Sequence, residues 1–131
     1  MKNEFKIIAN LLPPQSRVLD VGCGDGTLIK VLINEKNIDA RGIELGKKNV
    51  KECISKGLSV IEGNAETELS QFPDKAFDFV ILSQTLQAFY MPQNVLKQLL
   101  RIGHRVIISI PNFGYWQIRA KLLFFGKMPV T

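Results

Sequence analysis

The chain has 131 residues, 46% of them hydrophobic, and 17 Lys and Arg against 12 Asp and Glu give a formal net charge of +5. That is enough chain for one core, so a single domain over residues 1–131 is expected, and no apolar run reaches membrane-spanning length. The two cysteines, Cys23 and Cys53, have neither metal spacing nor a disulfide pattern, which excludes a disulfide-stapled secreted scaffold and points to a reduced, cytoplasmic compartment.

Residues 1–12 set Phe5, Ile8 and Leu12 at helical spacing among Lys2, Glu4 and Lys6, a short helix rather than a signal peptide, stopped by Pro13 and Pro14. Residues 18–27, VLDVGCGDGT, follow as a strand carrying Asp20, a tight turn with Gly22, Gly24 and Gly26, and a helix start. Without Cβ atoms these glycines accept positive φ and let a ligand approach the backbone. Leu28, Val31 and Leu32 stripe the helix, and residues 38–44 return as a strand ending in Glu44. Val50, Cys53 and Ile54 mark the next helix, which Gly57 is placed to end, and residues 58–62 form a third strand. Residues 77–83 are almost unbroken apolar, as a parallel strand covered on both faces requires. Pro92 suits the first position of a helix striped by Val95, Leu96, Leu99 and Leu100 and ended by Gly103, and residues 105–110 form strand five. Residues 115–125 carry Tyr115, Trp116, Ile118, Leu122, Leu123 and Phe125 with Arg119 and Lys121. They read as a helix that covers the apolar edge of strand five, docks a partner or lies on a membrane surface.

Regular βα alternation implies an α/β fold, a Rossmann-like open parallel sheet with flanking helices and right-handed crossovers. Ligands of such sheets sit beyond the carboxyl ends of the strands. Asp20, Glu44, Gly63-Asn64-Ala65, Ser83-Gln84-Thr85 and Pro111-Asn112 follow strands and fall on that edge. His104, the one histidine, precedes strand five and falls on the opposite edge, a poor place for a general base. Cys23 suits small-residue packing in a crowded turn, and Asp25 an N-cap acid. Residues 79–131 contain no acid but hold Lys97, Arg101, Arg105, Arg119, Lys121 and Lys127. The spread of these charges describes a solvated basic surface; an acidic substrate, a partner's phosphate-bearing cofactor or anionic lipid is the alternative. No RNA motif or recognition helix accompanies them, so nucleic acid is not expected.

The glycines are spaced G-x-G-x-G, whereas a dinucleotide fingerprint needs its third glycine at Thr27. This spacing, with Asp20 before it and Glu44 24 residues after that acid, resembles motif I of the class I S-adenosylmethionine (SAM) methyltransferases. The stretches VLDVGCGDGTL, FDFVILSQTLQ and VIISIPNFGYWQIRAKLLFFGKMPVT resemble the MetW family of methionine biosynthesis, over nearly the whole chain from Arg17. The resemblance implies a SAM-methyltransferase-like fold, SAM or S-adenosylhomocysteine as ligand, and support of a MetX-like homoserine O-acyltransferase in forming activated homoserine. It implies Asp20 near the methionyl amino group and Gly22, Cys23, Gly24 and Gly26 as the loop beneath the ligand. Glu44 would hold the ribose hydroxyls, Asn64 and Ala65 would flank the adenine, and Ser83 would lie near the sulfonium. Asn64 departs from the aspartate usual there, but its amide oxygen could accept from the adenine amine. Relative to the family the chain is expected to be truncated at its carboxyl end, the fold lacking its C-terminal strands. No metal and no catalytic residue are implied. A SAM-dependent methyltransferase with an unknown acceptor is the alternative, disfavoured by Ser83-Gln84-Thr85 where amino-group methyltransferases carry Asn-Pro-Pro and an aromatic residue. A dehydrogenase is a third reading.

Overall fold

The computed structural model describes the backbone of residues 2–82, 92–112 and 119–126, and the side chains of residues 5–82 and 92–108. Helix α1 (Lys2–Leu11) ends before Pro13, and β1 (Arg17–Val21) leads through the glycine turn into α2 (Thr27–Lys36). Strand β2 (Asp39–Glu44), α3 (Lys47–Ser55) and β3 (Ser59–Glu62) follow. Gly57, at φ +78°, takes the left-handed position after α3 that the sequence reserves for it. A one-turn helix α4 (Ala65–Glu68) and a 3-10 turn (Leu69–Gln71), both unannounced by periodicity, precede β4 (Phe77–Leu82), α5 (Gln93–Ile102), β5 (Gly103–Asn112) and β6 (Arg119–Gly126).

The strands form one sheet in the order β3-β2-β1-β4-β5-β6. The first five are mutually parallel. Side chains alternate across the sheet. Val18, Phe79, Ile81 and Ile107 join Ile8 of α1, Leu12 just after it, and Ile29 and Leu32 of α2 on one face. Leu19, Val21, Val80, Leu82, Val106 and Ile108 meet Leu69 and the Val95, Leu99 and Ile102 stripe of α5 on the other. The expected stripes shift slightly: Ile102 rather than Leu100 is buried on α5, and Ile54 of α3 is exposed. Pro92 is the N-cap of α5 rather than its first helical residue.

The largest departure from expectation is at the carboxyl end. Residues 119–126 form a strand, not a helix, and pair antiparallel with β5 from Arg119 against Asn112 to Gly126 against Arg105. The sheet therefore does carry a strand beyond the fifth. The apolar run 122–125 fits either element locally, and what decides is the row of β5 backbone groups that β4 leaves unpaired. β5 also runs beyond residues 105–110 at both ends, paired with β4 at its start and with β6 at its finish. Gly103 and His104 join its start, while Pro111 and Asn112 lie within it instead of after it. Pro111 is tolerated because the register with β4 ends at Ile108, so only one side of the strand needs donors there.

Candidate functional site

Strand order reverses between β1 and β4, so the crevice at the carboxyl end of β1 is the switch point of the sheet. The loop leaving β1 has its three glycines in the left-handed region, at φ +74°, +59° and +85° for Gly22, Gly24 and Gly26. A Cβ at Gly22 or Gly24 would meet nothing within 4 Å, leaving open space over the loop, whereas one at Gly26 would sit 2.5 Å from Leu58 Cδ1. Beneath the loop, the Cys53 thiol donates to the Gly24 carbonyl at 3.3 Å and Lys56 Nζ to the Asp25 carbonyl at 2.9 Å. The loop is thus fastened from Cys53 of α3 and from Lys56 at its C-cap, residues that sequence spacing cannot link to it.

The amides of Gly22, Cys23, Gly24 and Gly26 are already used. The N–H groups of Gly22 and Cys23 donate to the Ile43 carbonyl at 2.8 and 3.1 Å, and Gly26 N–H donates to the Cys23 carbonyl at 3.1 Å. Gly24 N–H donates to Glu44 Oε1 at 2.8 Å. Asp25 Oδ1 accepts from both the N–H and the hydroxyl of Thr27, at 3.0 and 2.6 Å. Asp25 therefore caps α2 as expected, although Gly26 is the N-cap residue. The Thr27 hydroxyl and N–H hold its carboxyl below the usual carboxylate range. A pyrophosphate needs free N–H groups at a helix start and no anion beside them. The second condition is not met, because Asp25 and Glu44 lie at the loop, which weighs against the dinucleotide reading alongside the glycine spacing.

Of the expected site residues, Asp20, Gly22, Cys23, Gly24, Gly26 and Glu44 come together here. Asp20 is fully buried on β1, directly before the loop. Cys23 is buried with its sulfur against Gly42 of β2, where an added Cβ would lie 2.6 Å away. Burial, reinforced by the Asp20 carboxylate, pushes its thiol well above the ordinary range and leaves it a poor nucleophile. Glu44 is half-buried; besides Gly24 it accepts from Gly46 N–H at 3.0 Å and Asn49 Nδ2 at 3.2 Å, both through Oε2. Gly46 and Asn49 are supporting residues that only the folded chain reveals. Next to the loop lies a cavity of about 140 Å³, walled mainly by Val21, Ile43, Leu45, Leu82, Pro92 and Val95 and rimmed by Asn64, Ala65 and Glu66. Asn64 caps α4, its Oδ1 accepting from Glu66 N–H at 2.9 Å. Ser83 lies outside the described residues. His104 is exposed on the opposite edge of the sheet. An apolar slot for a flat ring beside carboxylates suits a nucleoside that carries a positive charge.

The family described as Methionine biosynthesis protein MetW matches residues 2–131. The chain belongs to the MetW family. A bifunctional methionine biosynthesis protein MetXA/MetW of Rhodopirellula baltica is 34% identical over 130 residues, spanning 93% of this chain and 21% of that protein. A ubiquinone biosynthesis O-methyltransferase of Photorhabdus laumondii is 29% identical over 105 residues, 73% of this chain and 43% of that one. The chain thus spans less than half the length of these curated relatives. Among solved structures, a SAM-dependent methyltransferase of Archaeoglobus fulgidus superposes with a TM-score of 0.70 at 26% identity, covering 86% of this chain and 52% of that one. The Rossmann-like methyltransferase fold expected from the βα alternation is therefore the fold observed, and family membership places the chain with methionine biosynthesis. Among the described residues no helix is long and apolar enough to cross a membrane, and no cluster of metal-ligating side chains occurs.

Proposed function

We propose that the chain, as one cytoplasmic domain, holds SAM or S-adenosylhomocysteine over the β1 loop and serves a MetX-like homoserine O-acyltransferase in forming activated homoserine. The observation that carries the ligand is the set of carboxylates, Asp20, Asp25 and Glu44, at a loop whose four amides at Gly22, Cys23, Gly24 and Gly26 are engaged: such a site disfavours phosphate and favours a positive charge. In this reading Asp20 faces the ligand's ammonium group, Gly22, Cys23, Gly24 and Gly26 form the floor, Ala65 and Asn64 border the base, and Ser83 closes the sulfonium end. A carboxylate has about four acceptor sites, and three donors already occupy Glu44, so it takes one ribose hydroxyl rather than clamping both. A bound SAM would bring an activated methyl group. The chain's own residues bind and orient that ligand, and the site needs no acceptor chemistry to report SAM, the downstream product, to the acyltransferase. The union of MetXA and MetW in one bifunctional relative supports the partner.

Calorimetric titration of SAM and S-adenosylhomocysteine, alone and with the acyltransferase present, tests the reading. Binding by the chain together with a change in acyltransferase activity at saturating SAM is expected; absence of binding in both settings refutes it. Methyl transfer to a separate acceptor is the second reading, favoured by the likeness to an O-methyltransferase, and a SAM-dependent methylated product would establish it.

A further inference from the structure

Lys56, the C-cap residue of α3, meets the glycine loop at two points. Its Nζ donates to the Asp25 carbonyl at 2.9 Å and stands 4.0 Å from Asp25 Oδ2. The carbonyl one residue earlier, that of Gly24, accepts from the Cys53 thiol at 3.3 Å. Two consecutive carbonyls of the loop are therefore held from the end of α3. The two holds differ in strength: a thiol is a weak donor, whereas an ammonium makes a charge-assisted hydrogen bond. Lys56 is the stronger tie.

The same ammonium has a second, opposite consequence for a cationic ligand. Beside Asp25 it offsets one of the carboxylates that give the site its negative character. Its removal would loosen the loop and weaken every ligand, but would also unmask Asp25 and strengthen the ligand that carries more positive charge. SAM and S-adenosylhomocysteine separate the two effects, because they differ only in the sulfonium methyl group and its charge. At 4.0 Å, with both side chains reached by water, the ion pair contributes little, so the hold on the carbonyl dominates.

We propose that Lys56 is a positioning residue of the ligand site, acting through the Asp25 carbonyl to keep the glycine loop in its binding conformation. The inference rests on the nucleoside-ligand reading of the site given above. A loop that spends part of its time displaced binds with an affinity reduced by that fraction, whatever the charge of the ligand.

The test titrates SAM and S-adenosylhomocysteine into the chain, Lys56→Met and Lys56→Arg, with thermal unfolding to verify that all three are folded. Lys56→Met is expected to bind both compounds about fivefold more weakly, the loss of one charge-assisted hydrogen bond shared with water, with their affinity ratio unchanged within about twofold. Lys56→Arg keeps a charged donor and is expected to stay within about twofold of the unsubstituted chain for both. A lower unfolding midpoint with unchanged affinities in Lys56→Met overturns the proposal, since Lys56 then serves only the end of α3. A gain for SAM over S-adenosylhomocysteine without a common loss overturns it in favour of charge alone, and equal losses in the Met and Arg variants overturn it as well. If the folded, unsubstituted chain binds neither compound, the nucleoside site itself is refuted and the inference with it.

Discussion

Glu44→Ala would remove the acceptor of three donors at once: Gly24 N–H at 2.8 Å, Gly46 N–H at 3.0 Å and Asn49 Nδ2 at 3.2 Å. One carboxylate thus ties the turn after β1, the turn after β2 and the first turn of α3. A hydrogen bond to a charged acceptor is worth about 1.5–3 kcal/mol, but Glu44 is half-buried and water reaches part of what alanine abandons, so about 1 kcal/mol per donor is the better figure. The expected loss is therefore about 2–4 kcal/mol, which for a domain of this size lowers Tm by roughly 10 °C. Urea denaturation without ligand measures it, as a lower midpoint at constant slope. A loss below about 0.5 kcal/mol, the range of an ordinary surface substitution, would refute the claim that this carboxylate holds the loop. The same geometry affects any ligand assay: Glu44→Ala would loosen the floor of the site as well as remove the proposed ribose contact. Glu44→Gln retains one acceptor and leaves one backbone N–H facing an amide NH₂. It should lie between the two in stability, and its ligand affinity is the cleaner reading of the ribose contact.

Asp25→Ala removes the acceptor of the Thr27 N–H and hydroxyl and should cost about 1 kcal/mol at neutral pH, as lost caps do. Because the folded Asp25 carboxyl is held below its unfolded value of about 4, its contribution is complete above that value and disappears as pH falls through the lower folded one; urea midpoints from pH 6 to pH 2 should fall less steeply in the variant. Gly22→Ala and Gly26→Ala both impose a left-handed residue, at about 1–2 kcal/mol each, but only at Gly26 does the new Cβ meet Leu58 Cδ1 at 2.5 Å and Cys53 Sγ at 3.0 Å. Gly26→Ala should be the worse by about 1 kcal/mol or more in urea denaturation, and equal losses would show that the loop does not pack on Cys53 and Leu58 as described.

Local chemistry accounts for what the sequence determined unaided. Strands β1 to β5 and helices α1, α2, α3 and α5 were legible because apolar spacing, Pro13, Pro92 and Gly57 act on their own neighbours. The turn 22–26 and the caps by Asp25 and Gly57 follow from φ preferences and from side chains reaching two residues along the chain. Asp20, Glu44, Asn64 and Ala65 could be assigned to one edge because a parallel sheet puts every strand's carboxyl end on the same side. Tertiary structure alone decided how their polar atoms are spent. Glu44 reaches Gly24 across twenty residues of sequence, and the Asn64 oxygen caps a one-turn helix that no periodicity announces. It also decided that residues 119–126 are a strand, since an apolar run of that length fits helix or strand locally. The choice falls to the β5 edge, whose backbone groups must find partners and whose proximity exists only once the sheet is built.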